Sequence, residues 1–194
     1  MRCIYGFVLL YLLTLVKSES NCKKDTFFIN TDKDIESISN CSIINGSLFI
    51  NGENNIDSLS GLSNINFITG ELVIIDSHII SSLNGLHNLK RVYGENLYLD
   101  QYSVAIKHNI NNKNDSHQGL CYLNNLDWSL LTSQDVLLSN NGKNCPDCHT
   151  NCLGCFGPGP RLCQKCRYFS YGDVCVENCP FGNFTNHQCI QKKP

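Results

Sequence analysis

No run of basic residues occurs in this 194-residue chain, and its formal net charge is -2. Nucleic-acid binding therefore has no electrostatic footing. Catalytic signatures are missing as well: there is no Gly-x-Ser-x-Gly, no His-Glu-x-x-His and no phosphate-binding loop. The histidines (His78, His87, His108, His117, His149 and His187) are scattered and read as solvated side chains. Neither an enzyme nor a cofactor is expected. Past residue 16, no stretch is apolar and long enough to span a bilayer.

Residues 1–20 read as a secretory signal peptide. Arg2 supplies the positive start, and residues 3–16 form an apolar run of about a dozen residues, short of the roughly 20 that a spanning helix needs. Small residues at Ser18 and Ser20 offer cleavage points. The rest of the chain is expected to be secreted and extracellular. Of the 13 cysteines, Cys3 lies in this leader and twelve remain, an even number that suits a disulfide framework. Eight of the twelve fall between Cys148 and Cys189, and this uneven density points to two domains.

The first domain carries a repeat. Segments 35–50, 59–74 and 83–98 align at a 24-residue offset. Ile35, Leu59 and Leu83 share a column, as do Ile38, Leu62 and Leu86; Asn40, Asn64 and Asn88; Cys41, Ile65 and Leu89; and Ile44, Ile68 and Val92. Gly46, Gly70 and Gly94 follow, each before a short strand: G-S-L-F-I, G-E-L-V-I and G-E-N-L-Y-L. Such a repeat predicts a solenoid, because one unit cannot bury its apolar face alone and stacked units can. The third unit has one extra residue, read as a β-bulge that sends Leu97 and Leu99 to the inward places of Leu72 and Ile74. The recurring Asn is read as a buried amide bonded to turn backbone, as in leucine-rich repeats.

From Cys145 onward apolar residues are too few for a core, so disulfides must hold the chain. Its Cys-x-x-Cys spacings at Cys145, Cys148, Cys152 and Cys155 are also those of zinc ligands, but a secreted chain favours disulfides and no metal is expected. The run G-C-F-G-P-G-P-R-L-C resembles the furin-like cysteine-rich modules of the EGF-receptor family. G-L-C-Y-L-N-N-L-D-W-S-L-L, from Gly119 to Leu131, resembles the end of a receptor L domain of EGF and insulin receptors, and N-C-S-I-I-N-G-S-L-F-I resembles its beginning. The three motifs fall in the family's order. The implied fold class is mainly β: a short right-handed β-solenoid, leucine-rich-repeat-like, plus a small disulfide-rich domain. The implied domains are a signal peptide at 1–20, a receptor L domain at 21–145 and a furin-like cysteine-rich region at 146–194.

The resemblance also implies a pairing that spacing alone does not choose: Cys22–Cys41, Cys121–Cys145, Cys148–Cys155, Cys152–Cys163, Cys166–Cys175 and Cys179–Cys189. It implies that Trp128 and Phe156 hold the domain junction. One departure is a polar stretch between Ile106 and Gly119, where the family carries a further strand-bearing coil. Strand alternation predicts Leu48, Ile50, Leu72, Ile74, Leu97 and Leu99 inward. Phe49, Val73 and Tyr98 are then side by side on the open sheet face, with Glu71 and Asn96 nearby. That stripe is the candidate ligand-binding site. Sequons at Asn40, Asn45, Asn114 and Asn183 make the chain a candidate glycoprotein. The expected function is a secreted growth-factor-binding decoy or carrier for an EGF-like or insulin-like ligand. The alternative is a non-catalytic module that associates with a receptor ectodomain or another extracellular partner and modulates signalling.

Overall fold

The computed structural model describes residues 20–53, 56–78, 80–110, 119–123, 127–142, 145–157 and 159–190. Residues 1–19 of the expected leader and the sequon Asn114 lie outside these residues. Among the described residues no helix is long and apolar enough to cross a membrane. The chain opens with strand β1 (Asn21–Ile29) and a short helix α1 (Asp32–Ile38). Thr31 caps α1: its hydroxyl oxygen accepts from the Asp34 N–H, while the Asp34 carboxylate accepts from the Thr31 N–H at 2.9 Å. Bonds from the Asn30 amide and the Thr31 hydroxyl hold the Asp34 carboxyl below its ordinary pKa.

Strands β2 (Ile43–Glu53), β3 (Phe67–Ile68), β4 (Leu72–Ser77), β5 (Arg91–Val92), β6 (Tyr102–Lys107) and β7 (Asp135–Ser139) join β1 in one sheet. All its strand pairs are parallel. Both halves of β2 pair one coil onward at the 24-residue offset, Ile44 with Ile68 in β3 and Leu48 with Leu72 in β4. The chain is therefore mainly β, with coils stacked in sequence order. Every aliphatic column of the repeat is buried, from Ile35, Leu59 and Leu83 to Ile44, Ile68 and Val92. Each such side chain contributes about 1.5–3 kcal/mol by leaving water. The 3-10 turns Ser60–Leu62 and Asn84–Leu86 stack at the coil corners. The glycine column serves this stacking: a Cβ on Gly46 (φ 138°) would collide with the Lys24 carbonyl, and one on Gly70 with the Ser47 hydroxyl.

The third coil departs from the expected register. β5 keeps the offset, pairing Val92 with Ile68, but the strand beside β4 is β6, with Leu72 opposite Val104. That coil is 32 residues long, and so is the next, where Val104 faces Val136. The inward places go to Val104 and Ile106, both fully buried, and not to Leu97 and Leu99. Residues 93–101 form an excursion closed by mutual backbone bonds between Tyr98 and Tyr102, with Leu99 (φ 55°) and Asp100 (φ 58°) turning the chain. Leu99 is 67% exposed. The expected one-residue bulge is thus an eight-residue insertion. The longer coil also brings Asn109 to its partners. Its buried amide donates to Ile74 O (3.0 Å) and Asn141 Oδ1 (2.9 Å), and its Oδ1 accepts from the Ser77 N–H (2.9 Å).

The repeat asparagines do bond to the backbone one coil back, Asn64 to Ser39 O and Asn88 to Ser63 O, but from exposed positions. Beyond the stack, a second sheet contains β8 (Phe169–Tyr171), β9 (Val174–Val176), β10 (Phe184–Thr185) and β11 (Gln188–Cys189). Disulfides join Cys22 to Cys41, Cys121 to Cys145, Cys148 to Cys155, Cys152 to Cys163, Cys166 to Cys175 and Cys179 to Cys189. Each loop closure restricts the unfolded chain, worth about 2–4 kcal/mol. The buried and exposed amides should differ in unfolding experiments. Asn109→Ala strands buried partners and is expected to cost about 2–4 kcal/mol, against under about 1 kcal/mol for Asn88→Ala. Equal shifts in urea unfolding would show that the buried network is not a principal constraint.

Candidate functional site

Register and side-chain alternation define the sheet's outer face. Phe28, Phe49, Val73, Ala105 and Leu137 occupy one row across β1, β2, β4, β6 and β7. The row is not uniformly open. Phe28 is 57% exposed and Phe49 half-buried, their rings 5.6 Å apart and tilted by 52°. Val73 and Ala105 have no exposure, although both lie outside the core that holds Leu72 and Ile74. An exposed stripe of Phe49, Val73 and Tyr98 is therefore not what forms. Val73 is closed over, and the residue beside it is Ala105.

Tyr98 and Asn96 ride on the 93–101 excursion, off the main strands. The Tyr98 ring is half-buried, and the Lys107 ammonium lies 5.9 Å from its centroid. Such a pair contributes about 0.5–1 kcal/mol at a partly exposed site. Lys107 shares the outer face with Ala105, so the excursion brings Tyr98 back to the face from above. Glu71 is half-buried, and its Oε2 accepts from the Ser47 hydroxyl at 2.7 Å. The apolar opening is consequently at the β1 side, centred on Phe28 and Phe49. Phe28 escaped the sequence reading because β1 precedes the first repeat and has no aligned column. The usable signal was T-F-F-I, whose alternation matches S-L-F-I.

The two residues expected at the junction occupy partly buried and buried positions. Trp128 packs against the core of the coil stack and donates from Nε1 to Leu123 O at 3.0 Å. Phe156 is 9% exposed and belongs to that core, the only described residue past Cys145 that does. Tyr122 reaches the opposite way. It is buried with Cys121, Cys152 and Cys155, and Cys145, Cys148 and Cys163 pack around them. Burial pushes its phenol pKa up, and Asp147 adds to the shift. The Asp127 N–H donates to Gln164 Oε1 at 3.1 Å. Nothing in the repeat marks Tyr122; its position beside Cys121 was the available clue. All four cysteines with zinc-like spacing are disulfide-bonded, Cys145 to Cys121, Cys148 to Cys155 and Cys152 to Cys163.

The sequons differ in access. Asn40 is exposed. Asn45 is half-buried, and the Ser47 of its sequon is 1% exposed and bonded to Glu71. Asn183 is half-buried beside an exposed Thr185.

Removing the Phe156 ring should loosen the attachment of the disulfide-rich segment. Phe156→Ala is expected to cost about 3–5 kcal/mol and to speed proteolysis between residues 140 and 160. Unchanged melting together with unchanged cleavage would show that Phe156 is not an anchor.

A family model described as "Receptor L domain" matches residues 40–151. The human receptor tyrosine-protein kinase erbB-4 is 35% identical over 95 residues, covering 40% of this chain and 7% of that receptor. The epidermal growth factor receptor of Apis mellifera is 32% identical over 75 residues, covering 32% of this chain and 6% of the receptor. That of Gallus gallus is 36% identical over 76 residues, covering 32% and 10%. This chain thus spans about a tenth or less of the length of these relatives, and the match covers the receptor L domain and not their kinase parts. The disulfide-rich C-terminal region is consistent with a furin-like cysteine-rich module. With more than half of its residues inside the family match, the chain belongs to the receptor L domain family.

Proposed function

We propose that this protein is a secreted, non-catalytic binding module that takes an EGF-like or insulin-like growth factor and withholds it from receptors. On this reading residues 1–20 are the leader, 21–145 the lobe and 146–194 its cysteine-rich continuation. The observation that carries the reading is the Phe28–Phe49 pair. A receptor L domain presents two adjacent aromatic rings on the outer face of its parallel sheet, one of them more than half exposed. Solvent-facing strand positions are ordinarily polar, so adjoining apolar side chains there favour a protein contact. Aromatic rings lose little conformational entropy on docking and often carry interface energy.

The chemistry around the pair suits a small protein ligand. Lys23, Lys24 and Asp25 of β1 are exposed and give a mixed-charge rim at the sheet edge. A ligand seated on Phe28 and Phe49 contacts one lobe only. Its affinity should fall below that of a two-lobed clamp, where the second contact acts at high effective concentration.

Pull-down with EGF-like and insulin-like ligands, beside receptor ectodomains, tests the class of partner. Capture of a growth factor is expected. Capture of receptor ectodomains alone would replace the decoy reading with the receptor-modulating one. With the bound ligand in hand, Phe28→Ala and Phe49→Ala should each weaken binding by about 2 kcal/mol, roughly 30-fold. Tyr168→Ala, an exposed ring in the cysteine-rich segment, should leave affinity unchanged. Wild-type affinity in both Phe variants would place the contact elsewhere.

A further inference from the structure

The last module exposes more apolar surface than its size explains. Phe181 is 54% exposed, Phe184 57% and Ile190 46%. Phe184 has a partner, since its ring lies 4.6 Å from that of Phe169. Phe181 sets its ring edge-on to that of Tyr171, at 6.3 Å between centroids, and remains more than half exposed. Asn183 stands between Phe181 and Phe184 and opens the sequon Asn183-Phe184-Thr185.

The hairpin geometry sorts these side chains. Phe184 pairs with Cys189 and Thr185 with Gln188, antiparallel. The Ile190 N–H donates to Asn183 O at 3.0 Å, which extends the ladder by one pair and makes Ile190 the cross-strand neighbour of Asn183. Side chains alternate, so Asn183 and Ile190 share one face while Phe184 points to the other, toward Phe169. Two residues before Asn183, a turn closed by the Gly182 N–H on Cys179 O (3.0 Å) holds Phe181. Gly182 (φ 67°) then redirects the chain into the hairpin. The Cys179–Cys189 disulfide ties the start of that turn to β11. The asparagine is thus flanked by two exposed apolar side chains, Phe181 along the chain and Ile190 across it.

We propose that Asn183 carries an N-linked glycan whose first sugar lays its apolar face on Phe181, with Ile190 at its side. One face of an N-acetylglucosamine ring presents axial C–H groups, which pack on the negative face of an aromatic ring. The attachment is a glycosyl transfer from a lipid-linked pyrophosphate oligosaccharide. A bond forms between Asn183 Nδ2 and the sugar C1, the bond from C1 to the pyrophosphate oxygen breaks, the lipid pyrophosphate leaves and the amide gives up one proton. The glycan shields the patch and braces a hairpin that has no core of its own. Asn45 lacks this setting, since the Ser47 hydroxyl of its sequon is buried against Glu71.

The proposal rests on the secretory reading, and the test separates the two. The full chain is expressed with its leader in animal cells, and occupancy at Asn40, Asn45, Asn114 and Asn183 is read from glycopeptides. Asn183 is expected to be occupied. Glycans are then trimmed enzymatically to a single sugar, and amide hydrogen exchange of residues 179–190 is compared with that of Asn183→Gln. Exchange should be several-fold slower with the sugar. Phe181→Ser should erase that difference, and Phe181→Trp should retain it. A bare Asn183 beside an occupied Asn40, Asn45 or Asn114 overturns this proposal alone. A difference that survives Phe181→Ser overturns the packing. No occupancy at any sequon overturns the secretory reading, and this inference with it.

Discussion

Parallel pairing between each coil and the next sets strand residues opposite counterparts one coil onward. A coil cannot shift by one residue without turning its buried row to solvent. The columns at Ile44, Ile68 and Val92 are therefore coupled, and the glycines at 46 and 70 let the backbones come close enough to couple them. The outer face follows from the same register. Once Leu48 faces inward, Phe49 must face out, and Phe28 must stand beside it. The outward aromatic pair is thus a by-product of core packing, with little freedom to be elsewhere.

The sequence made this register legible where coils were equal in length. The 24-residue offset identified the aliphatic columns, and all of them are buried. It failed where a coil lengthens. L-Y-L and V-A-I both alternate, and both supply two aliphatics for the core. The choice between them depends on where Asn109 lands. Only the longer coil brings its amide to Ile74, Ser77 and Asn141, satisfying a buried polar group that the shorter coil leaves out. That is a long-range constraint invisible to local periodicity. β1 and β7 were missed because each lies outside the aligned units: the first coil is three residues shorter, with Phe27 opposite Leu48, and the last is 32 long.

The candidate site was legible by half. Alternation turned Phe49 outward, and the register sets it between Phe28 and Val73; Glu71, expected nearby, is half-buried and bonded to Ser47. Val73 was given the right direction and the wrong environment, since side-chain direction does not say what lies above it. Tyr98 reaches the face through a turn, held by its backbone bonds to Tyr102 and by its ring contact with Lys107. The disulfide pairing was a different kind of inference. Twelve cysteines permit far too many connectivities for spacing to decide. The family resemblance supplied the choice, and with it the anchoring position of Phe156. Tyr122, the reciprocal contact from the coil stack into the disulfides, is just as buried and carried no comparable signature.

Closure of the outer face at Val73 and Ala105 bears on what can bind. Were the whole row open, a ligand could span five strands at about 4.8 Å each. As built, the strand-borne aromatic part is confined to Phe28 and Phe49 on β1 and β2, about two strand widths, so the area a partner can bury on it is small. Small contacts bind tightly only if nothing in them has to be ordered on binding. Here the pair meets that condition: Phe28 and Phe49 rest on each other, and the strand beneath them is fixed in register through Phe27 and Ile29 with Leu48 and Ile50. The Cys22–Cys41 bridge ties the start of β1 to the turn that follows α1, so the outermost strand is held at both ends of the coil. The position most open to solvent is in this way also one of the most restrained, which is the combination a weak single-lobe contact needs.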